Sequence, residues 1–417
     1  MSFLPEPASK DEWTLFRNAR QLLTLQGPSG PRRGSAMSEL NIVPRGALLI
    51  RNGVIEDVGP GRRVENLAAA RQAHEIDAAG KIIMPAFVDA DVSLVTPGIR
   101  ESGDSAQWPE APGYRPMSRK TALARAGALS CEYARYGTVT VGAHTRCADD
   151  LKNIAKVLRA HQALQMKPQR IRSVFSPRFA PGGSRTPAQS LETLLMKWLP
   201  SIKARKFASV VEFTAGAEGS RLDNAMLRTA AVTAAGMGYA IRLRSELRPE
   251  ARDLELALSA GAIAIIAPID NLRAFTDPLS AIGCVRVIPA SQGFDDDAVN
   301  AGGAIRDAID EGVPIALTSS YRTSATSTLN MQHVLHLAVE KLGMNPAEAI
   351  TAATWNPACS LRLSNITGSL EPGKSADVVV MDVPDYRELA RRAGHHDASL
   401  VMRAGKTIAG GASLSWN

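Results

Sequence analysis

Residues Ser190 to Phe213 read SLETLLMKWLPSIKARKFASVVEF, a helical stretch that runs directly into a strand. In the first part, Ser190 to Lys206, apolar residues recur at three- and four-residue steps, which is typical of an amphipathic helix with one face against a core. In the second part, Ser209 to Phe213, β-branched residues predict a short buried strand. A helix followed at once by such a strand is the repeating unit of folds with parallel strands.

The same alternation extends over the middle of the chain. Eight strand-like runs occur there: FVDADVS (Phe87 to Ser93), VTVGA (Val139 to Ala143), IRSVF (Ile171 to Phe175), SVVEF (Ser209 to Phe213), YAIRLR (Tyr239 to Arg244), IAIIA (Ile263 to Ala267), VRVIPA (Val285 to Ala290) and PIALTSS (Pro314 to Ser320). The segments between them show helical periodicity, as in DDDAVNAGGAIRDAIDEG (Asp295 to Gly312). Eight parallel strands with such crossovers within about 235 residues fit a closed barrel. The sequence therefore predicts the α/β class with a (β/α)8 TIM barrel.

The two ends of the chain show a different pattern. Near the start, ALLIRNGVIEDVG (Ala47 to Gly59) and HEIDAAGKIIM (His74 to Met84) predict short antiparallel strands joined at Asn-Gly and Ala-Gly turns. Near the end, residues 366–383 and 399–411 again show strand, glycine turn and strand. The two ends are therefore predicted to form one small composite β-sandwich domain beside the barrel. The predicted boundaries are 1–84 and 366–417 for that domain and 85–365 for the barrel.

The composition excludes several classes of protein. Of the 417 residues, 45% are hydrophobic and 21% are charged, which is ordinary globular usage and argues against disorder. The 48 basic and 41 acidic residues give a net charge of +7 that is not gathered into basic runs, so nucleic acid is not expected as a partner. No apolar stretch approaches the ~20 residues of a membrane-spanning helix, so no membrane partner is expected either.

The N-terminus and the cysteines indicate a cytoplasmic protein. MSFLPEPASKDEWTLF has no basic segment followed by an apolar one, so it does not resemble a secretion signal. The four cysteines lie far apart without a C-x-x-C pair, which favours free thiols in a reducing compartment over a disulfide framework or a zinc knuckle.

Several longer motifs carry a family resemblance. They are RRGSAMSELNIVPRGALLIRNGVIEDVGP (Arg32 to Pro60), MPAFVDADVSLVTPGIRE (Met84 to Glu101), and NPAEAITAATWNPA (Asn345 to Ala358) followed by GSLEPGKSADVVVMDVPDYREL (Gly368 to Leu389). Through them the chain resembles the amidohydrolase superfamily, most closely its imidazolonepropionase branch, over nearly its whole length. The resemblance implies a (β/α)8 barrel with a composite β domain, and a hydrolase that uses one divalent zinc or iron to open the cyclic amide of imidazolone propionate.

The resemblance also implies where the metal ligands stand. It places a His-x-His pair after strand one, single histidines after strands five and six, and an aspartate after strand eight. In this chain the five positions hold Asp91, Ser93, Arg244, Ala267 and Ser320. Arg244 is a permanent cation that cannot coordinate a metal, and Asp91 with Glu246 is better suited to pair with it than to form a cage. We therefore predict that the barrel binds no metal and that the protein has no cofactor.

Part of the family's substrate site has counterparts here. Arg100 lies where the resemblance implies an arginine that binds the propionate carboxylate, and Tyr114 lies within one residue of a tyrosine that contacts the same ligand. An exposed loop arginine and a tyrosine packed on the barrel rim are the alternatives for these two residues.

Further arginines are predicted at the same end of the barrel. Arg178, Arg244 and Arg322 all follow or end a strand, so with Arg100 they predict a pocket for a small carboxylate or another anion. The alternative is that the arginines pair with Asp91, Glu212 and Glu246 and close the barrel, because buried charges are normally paired.

His144 is the histidine that ends a barrel strand. Barrels carry their reactive groups at that end, so His144 is a candidate general base, with Asp91 and Glu246 as candidate acid or base groups. A neutral rim histidine is the alternative. His333 and His336 are three residues apart on a helix outside the barrel, and His395 and His396 lie in a polar turn, so neither pair indicates a metal site.

Three hypotheses follow for function. The first is an amidohydrolase homologue that has lost the metal-binding histidines and catalytic aspartate and binds a small anion. The second is a metal-independent hydrolase acting on the carbon–nitrogen bond of a cyclic amide. The third is a structural or interaction partner of an active amidohydrolase. The resemblance also implies a homodimer, to which the apolar helix around HVLHLAVEKL (His333 to Leu342) would contribute.

Overall fold

A computed structural model describes residues 11–95, 118–146, 151–177, 185–215, 222–245, 251–267, 283–289, 299–321 and 328–410. Eight parallel strands form the barrel: β6 (Phe87–Val92), β7 (Thr138–His144), β8 (Arg170–Phe175), β9 (Val210–Ala215), β10 (Ala240–Ser245), β11 (Ala264–Ile266), β12 (Val285–Pro289) and β13 (Ile315–Thr318). Each of the eight predicted runs overlaps one of these strands. The predicted fold class is confirmed.

The barrel strands follow one another in chain order from β6 to β13, which is the order of a (β/α)8 barrel. The first and the last strand then meet along a seam. The Thr318 hydroxyl donates to the carbonyl of Asp91 at 3.0 Å, and the amide of Ser93 donates to the carbonyl of Tyr321 at 3.4 Å. These two contacts join the edges of the sheet at the end where the strands finish.

Helices surround the barrel, apart from the single-turn helix at Gly61–Val64, which packs on strands near the N-terminus. Those within the described residues are α1 (Gly61–Val64), α2 (Arg119–Arg135), α3 (Leu151–Leu164), α4 (Pro187–Thr193), α5 (Leu199–Ala204), α6 (Asn224–Gly236), α7 (Ala251–Ser259), α8 (Val299–Asp310), α9 (Met331–Glu340), α10 (Pro346–Ala353) and α11 (Trp355–Ser360). A π-helical turn at Leu194–Trp198 joins α4 to α5, where Pro200 has no N–H to continue the regular ladder. None of these helices is long and apolar enough to cross a membrane.

The lower part of the barrel interior is apolar. Inward-facing side chains of neighbouring strands, including Val210 and Ala240, pack there against Leu361, which follows α11. Gly142 on β7 lies at the closest approach, because a Cβ at this position would lie 2.3 Å from the Ala90 carbonyl oxygen and 2.7 Å from Leu361 Cδ2. Because strand side chains alternate between faces, Glu212 and Arg242 point inward directly above this apolar base.

The two ends of the chain share a second sheet. Its strands are β1 (Trp13–Leu23), β2 (Ile42–Arg51), β3 (Val54–Pro60), β4 (His74–Asp77), β5 (Ile82–Pro85), β14 (Val378–Met381), β15 (Ala398–Arg403) and β16 (Lys406–Gly410). The order is β16-β15-β14-β5-β1-β2-β3, with β4 also on β1, so β5 and β14 join the two ends of the chain. The predicted composite β domain is confirmed, and its strands form one continuous sheet.

Of the two hairpins predicted near the N-terminus, the structure has the first and not the second. Asn52 and Gly53 both have positive φ, 50° and 82°, which suits a two-residue hairpin turn between β2 and β3. The prediction of a similar hairpin over His74 to Met84 is wrong. Its strands β4 and β5 both run parallel to β1 and pair with successive stretches of that long strand, residues 14–17 and residues 21–22.

The helix expected at a dimer interface is covered by its own chain. Val334, Leu335 and Leu337 of α9 are buried in the core that the helix shares with the barrel and the C-terminal segment. This helix therefore gives no support to a dimer, and the homodimer stays a prediction.

Candidate functional site at the barrel mouth

Five charged side chains meet inside the barrel, above its apolar base. Asp91 comes from β6, Glu212 from β9, Arg242 and Arg244 from β10, and Arg146 from the turn after β7. We call these five residues the ionic cluster. Asp91, Glu212 and Arg242 are at most 1% exposed, whereas the side chains of Arg146 and Arg244 are 10% and 12% exposed. These two arginines therefore form the outer face of the cluster.

Arg242 is the deepest member of the cluster. Its Nη2 lies 3.2 Å from Oε2 of Glu212 and 3.7 Å from Oδ1 of Asp91, and its Nη1 donates to the carbonyl of Ala90 at 2.8 Å.

Arg244 and Arg146 hold the same two carboxylates from above. Arg244 donates from Nε to Oε1 of Glu212 at 3.1 Å and from Nη2 to Oδ2 of Asp91. Arg146 donates from Nη1 to Oε1 of Glu212 at 2.5 Å and to Oδ1 of Asp91 at 3.3 Å, and from Nη2 to Oδ2 of Asp91 at 3.4 Å. Each carboxylate is thus in contact with all three arginines.

The arginines set the acidity of the carboxylates. Burial acts to raise the pKa of Asp91, but Arg146 and Arg244 outweigh it and hold that pKa well below its ordinary value. Burial likewise opposes the fall in the pKa of Glu212, which Arg244 and Arg146 bring to about 2. Both groups are therefore ionised at neutral pH, and the three guanidinium groups stay charged. The cluster has three positive and two negative charges, which leaves one positive charge.

His144, at the end of β7, lies beside the cluster and is 4% exposed. Its Nδ1 accepts a hydrogen bond from the amide of Arg146 at 3.4 Å, so Nε2 carries the proton of the neutral ring. Burial, and then the charge of Arg146, holds the pKa of His144 well below its ordinary value. Nε2 is buried without a hydrogen-bond partner within the described parts of the chain.

A second polar group lies at the seam of the barrel. Asp89 on β6 accepts hydrogen bonds from the hydroxyls of Thr318 and Ser319 and from the amide of Ser319. Burial raises the pKa of Asp89 to about 6, although the hydroxyl donors of Ser319 and Thr318 act against it. The Tyr133 hydroxyl lies 3.4 Å from Ser319 Oγ. This group joins β6 to β13, and sequence reasoning did not identify it.

The structure describes some of the predicted site residues and not others. Asp91, Ser93, His144, Arg244, Ala267 and Ser320 all lie at strand ends on the same side of the barrel. Arg100, Tyr114, Arg178, Glu246 and Arg322 fall outside the described residues. The predicted convergence of Arg100, Arg178, Arg244 and Arg322 thus stays a prediction. Arg244 itself pairs with Asp91 and Glu212, as in the alternative in which the arginines are internally paired.

Two members of the ionic cluster were missed by sequence reasoning. Arg242 lies two residues before Arg244, and this strand spacing is a signal that both side chains point to the same side. Arg146 follows β7 in a turn whose sequence has no periodic pattern, so no signal in the sequence indicates its direction.

The described part of the site does not fit a divalent zinc or iron ion. Asp91 is the one carboxylate among the five implied ligand positions, and its oxygens are bonded to arginines. Arg244 places a cation where the resemblance implies a ligand, and Ala267 has no donor atom. No group of three or more His, Cys, Asp or Glu side chains in the described chain is arranged to hold a metal. A divalent cation would also meet the surplus positive charge of the cluster.

Comparison with known proteins agrees with this architecture. Residues 299–408 match the "Amidohydrolase family". A protein named imidazolonepropionase from Solibacter usitatus is 31% identical, with 94% of this chain and 97% of that protein aligned. An imidazolonepropionase from Geobacillus kaustophilus is 30% identical over the same shares of the two chains. This chain belongs to the imidazolonepropionase-like branch of the amidohydrolase superfamily.

Solved structures show the same fold at lower identity. A triazine hydrolase variant has a TM-score of 0.70 at 16% identity and covers 96% of this chain and 95% of its own. A Xaa-Pro dipeptidase has a TM-score of 0.69 at 16% identity and covers 95% of this chain and 99% of its own. At this identity the two structures support the barrel fold of this amidohydrolase homologue and nothing finer.

Proposed function

We propose that this amidohydrolase homologue binds a small anionic ligand at the mouth of its barrel without a divalent metal, and that it no longer performs metal-dependent hydrolysis. The observation that carries the proposal is the charge of the ionic cluster, in which three guanidinium groups share two carboxylates. The surplus charge lies toward the mouth, because Arg146 and Arg244 retain exposed surface and the carboxylates do not.

An unbalanced charge at this depth favours an anion. The interior of the barrel screens charge poorly, so a guanidinium charge that the carboxylates of the cluster do not balance is costly to bury and attracts a counter-charge. Arginine donates through a planar fork that matches a carboxylate, and a small carboxylate is therefore the ligand that this surface suits best.

The acid–base properties of the cluster support the loss of hydrolysis. A general base works best when its pKa lies near the working pH, whereas the pKa of Glu212 is about 2 and that of Asp91 is well below its ordinary value. His144 has its Nδ1 turned to a backbone amide and its Nε2 protonated, so its ring is placed to donate a proton in a hydrogen bond and not to remove one.

Two measurements test the proposal together. Elemental analysis of dialysed protein should find less than stoichiometric zinc, iron and manganese. Titration calorimetry at low ionic strength should detect binding of acetate or propionate that weakens as salt is raised. An equivalent of metal that survives dialysis and supports hydrolysis of imidazolone propionate would overturn the proposal, and so would a failure of every small anion to bind.

Arg146→Met is the variant that isolates the surplus charge. It leaves two guanidinium groups facing two carboxylates, so the cluster becomes neutral while Arg242 and Arg244 still hold both acids. Anion binding should be lost. Arg63→Met is the control, because Arg63 pairs with Asp57 on the surface of the β domain, and this change should leave anion binding intact.

The names of the relatives support hydrolase activity, and the second candidate is hydrolysis of a cyclic amide that proceeds without a metal. Turnover of imidazolone propionate by metal-free protein would support it, and the amide-opening role would then pass to residues such as Glu246. The homodimer, the role as partner of an active amidohydrolase and the cytoplasmic location stay predictions.

A further inference from the structure

His144 carries a polar group whose bonding is incomplete. The ring is 4% exposed, Nδ1 accepts from the amide of Arg146, and Nε2 meets no hydrogen-bond partner in the described residues. Buried donors without partners are uncommon, because such a donor has lost its hydrogen bond to water and has gained none in the folded protein. An unpaired donor in this position therefore needs an explanation.

The position of His144 connects it with the outer face of the ionic cluster. Along β7 the side chains of Val141 and Ala143 pack into the core between the barrel and the helices, so His144 alternates to the barrel interior. The charged groups that act on its ring are Arg146, Asp91, Glu212 and Arg244. The ring thus lies beside the two arginines with exposed surface.

Resting on the proposed function, we infer that His144 is a ligand-binding residue and that the ligand class is the singly charged carboxylate. The Nε2–H of His144 donates to one carboxylate oxygen, and guanidinium N–H groups of Arg146 and Arg244 donate to the other. No covalent step is involved.

The charge balance selects a single negative charge. The cluster has one surplus positive charge, and the neutral ring of His144 adds a donor without adding charge. A monocarboxylate therefore neutralises the site, whereas a dicarboxylate or phosphate would bury a second negative charge that no group in the described cluster compensates. The site lies at the positions of Asp91 and Arg244.

The test compares two replacements of His144. His144→Gln keeps an N–H donor near the position of Nε2, and His144→Leu keeps the volume without the donor. By calorimetry, the Leu variant should bind acetate and propionate about ten-fold or more weakly, the worth of a hydrogen bond to a charged group, while the Gln variant stays within about three-fold of the parent. In the parent, succinate and phosphate should bind more weakly than acetate at matched ionic strength.

A spectroscopic measurement shows whether the ring touches the ligand. In full-length protein labelled with 15N-histidine, acetate should shift the Nε2–H resonance of His144, identified by its loss in His144→Leu, while the exposed His395 serves as a reference. A role in folding alone would leave that resonance unmoved. Undiminished acetate binding in a folded His144→Leu protein, or preference of the parent for succinate or phosphate, overturns this inference while the proposed function stands. Absence of any anion binding by the parent removes both.

Discussion

Arg244 on β10 donates to Asp91 on β6, and the two strands stand opposite each other as the fifth and the first of the eight-stranded barrel. The pair therefore crosses the barrel interior instead of linking neighbours in the sheet. Glu212 on β9 and Arg146 after β7 join the same contact, so strands from both halves of the barrel are tied at its mouth. The position where the resemblance implies a metal holds an ionic cross-link.

We expect Arg244→Met to destabilise the protein strongly. The change removes the hydrogen bonds that Arg244 donates to Asp91 and Glu212, and each buried hydrogen bond to a charged group is typically worth about 1.5 to 3 kcal/mol. Urea unfolding should show this loss. The surface pair Arg387–Asp385 is the control, since Arg387→Met should change the free energy of unfolding by less than about 1 kcal/mol. Equal effects of the two arginine variants would contradict a cross-linking role.

A second prediction concerns the pH dependence of stability. His161 on α3 is 1% exposed, and burial lowers its pKa from 6.5 to about 4. The unfolded chain therefore takes up a proton at this histidine below pH 6.5, while the folded protein does not until about pH 4. The contribution of His161 to stability should fall as pH drops between these values, by at most about 3 kcal/mol, while Asp89, whose raised pKa acts in the opposite direction, offsets part of it.

His161→Leu is the variant that tests this assignment. It should remove most of that decline, because Leu does not titrate and fits apolar surroundings that include Leu158. The exposed His395 gives the control, and His395→Gln should keep the decline. The measurement is the free energy of unfolding of each variant across this pH range. If its dependence on pH in His161→Leu is the same as in the parent, other groups cause the decline.

A third prediction concerns close packing at Gly142. A Cβ there would lie 2.3 Å from a backbone carbonyl oxygen of β6, which cannot move without displacing the strand. Gly142→Ala should therefore destabilise the protein by about 2 to 3 kcal/mol. Gly127 in α2 has the opposite environment, with the nearest atom 3.7 Å from a Cβ. Gly127→Ala should be neutral or stabilising by about 0.5 to 1 kcal/mol, and similar effects of both changes on the melting temperature would refute this packing.

The barrel could be predicted from the sequence because each of its strands and helices has a recognisable pattern within its own short segment. Each strand is a β-branched run next to a helical pattern, and eight such units in succession fit a closed barrel. β1 was missed because Arg17, Asn18 and Arg20 interrupt its apolar pattern. Asn18, with φ of 60°, lies in a bulge of β1, between the stretches that pair with β4 and with β5.

The candidate site was predictable only in part. The charge types at Asp91 and Arg244 can be read directly, and they are enough to argue against a metal. The partners of these residues depend on which side chains meet across the barrel, because Glu212 and Arg146 are distant in sequence and belong to different strands. The surplus of one positive charge depends on which side chains come together in the folded barrel, and no local sequence pattern indicates it.

The last prediction tests the charge balance directly. Glu212→Gln leaves three guanidinium groups facing Asp91 alone, so the surplus rises from one positive charge to two. The affinity for succinate relative to acetate should therefore increase, by about ten-fold if one partly screened charge interaction contributes about 1.4 kcal/mol. Calorimetry at matched ionic strength measures the ratio, and Glu348→Gln is the control, because Glu348 pairs with Arg306 outside the barrel and its change should leave the ratio unaltered. A ratio that stays constant in a folded Glu212→Gln protein would show that the net charge of the cluster does not select the ligand.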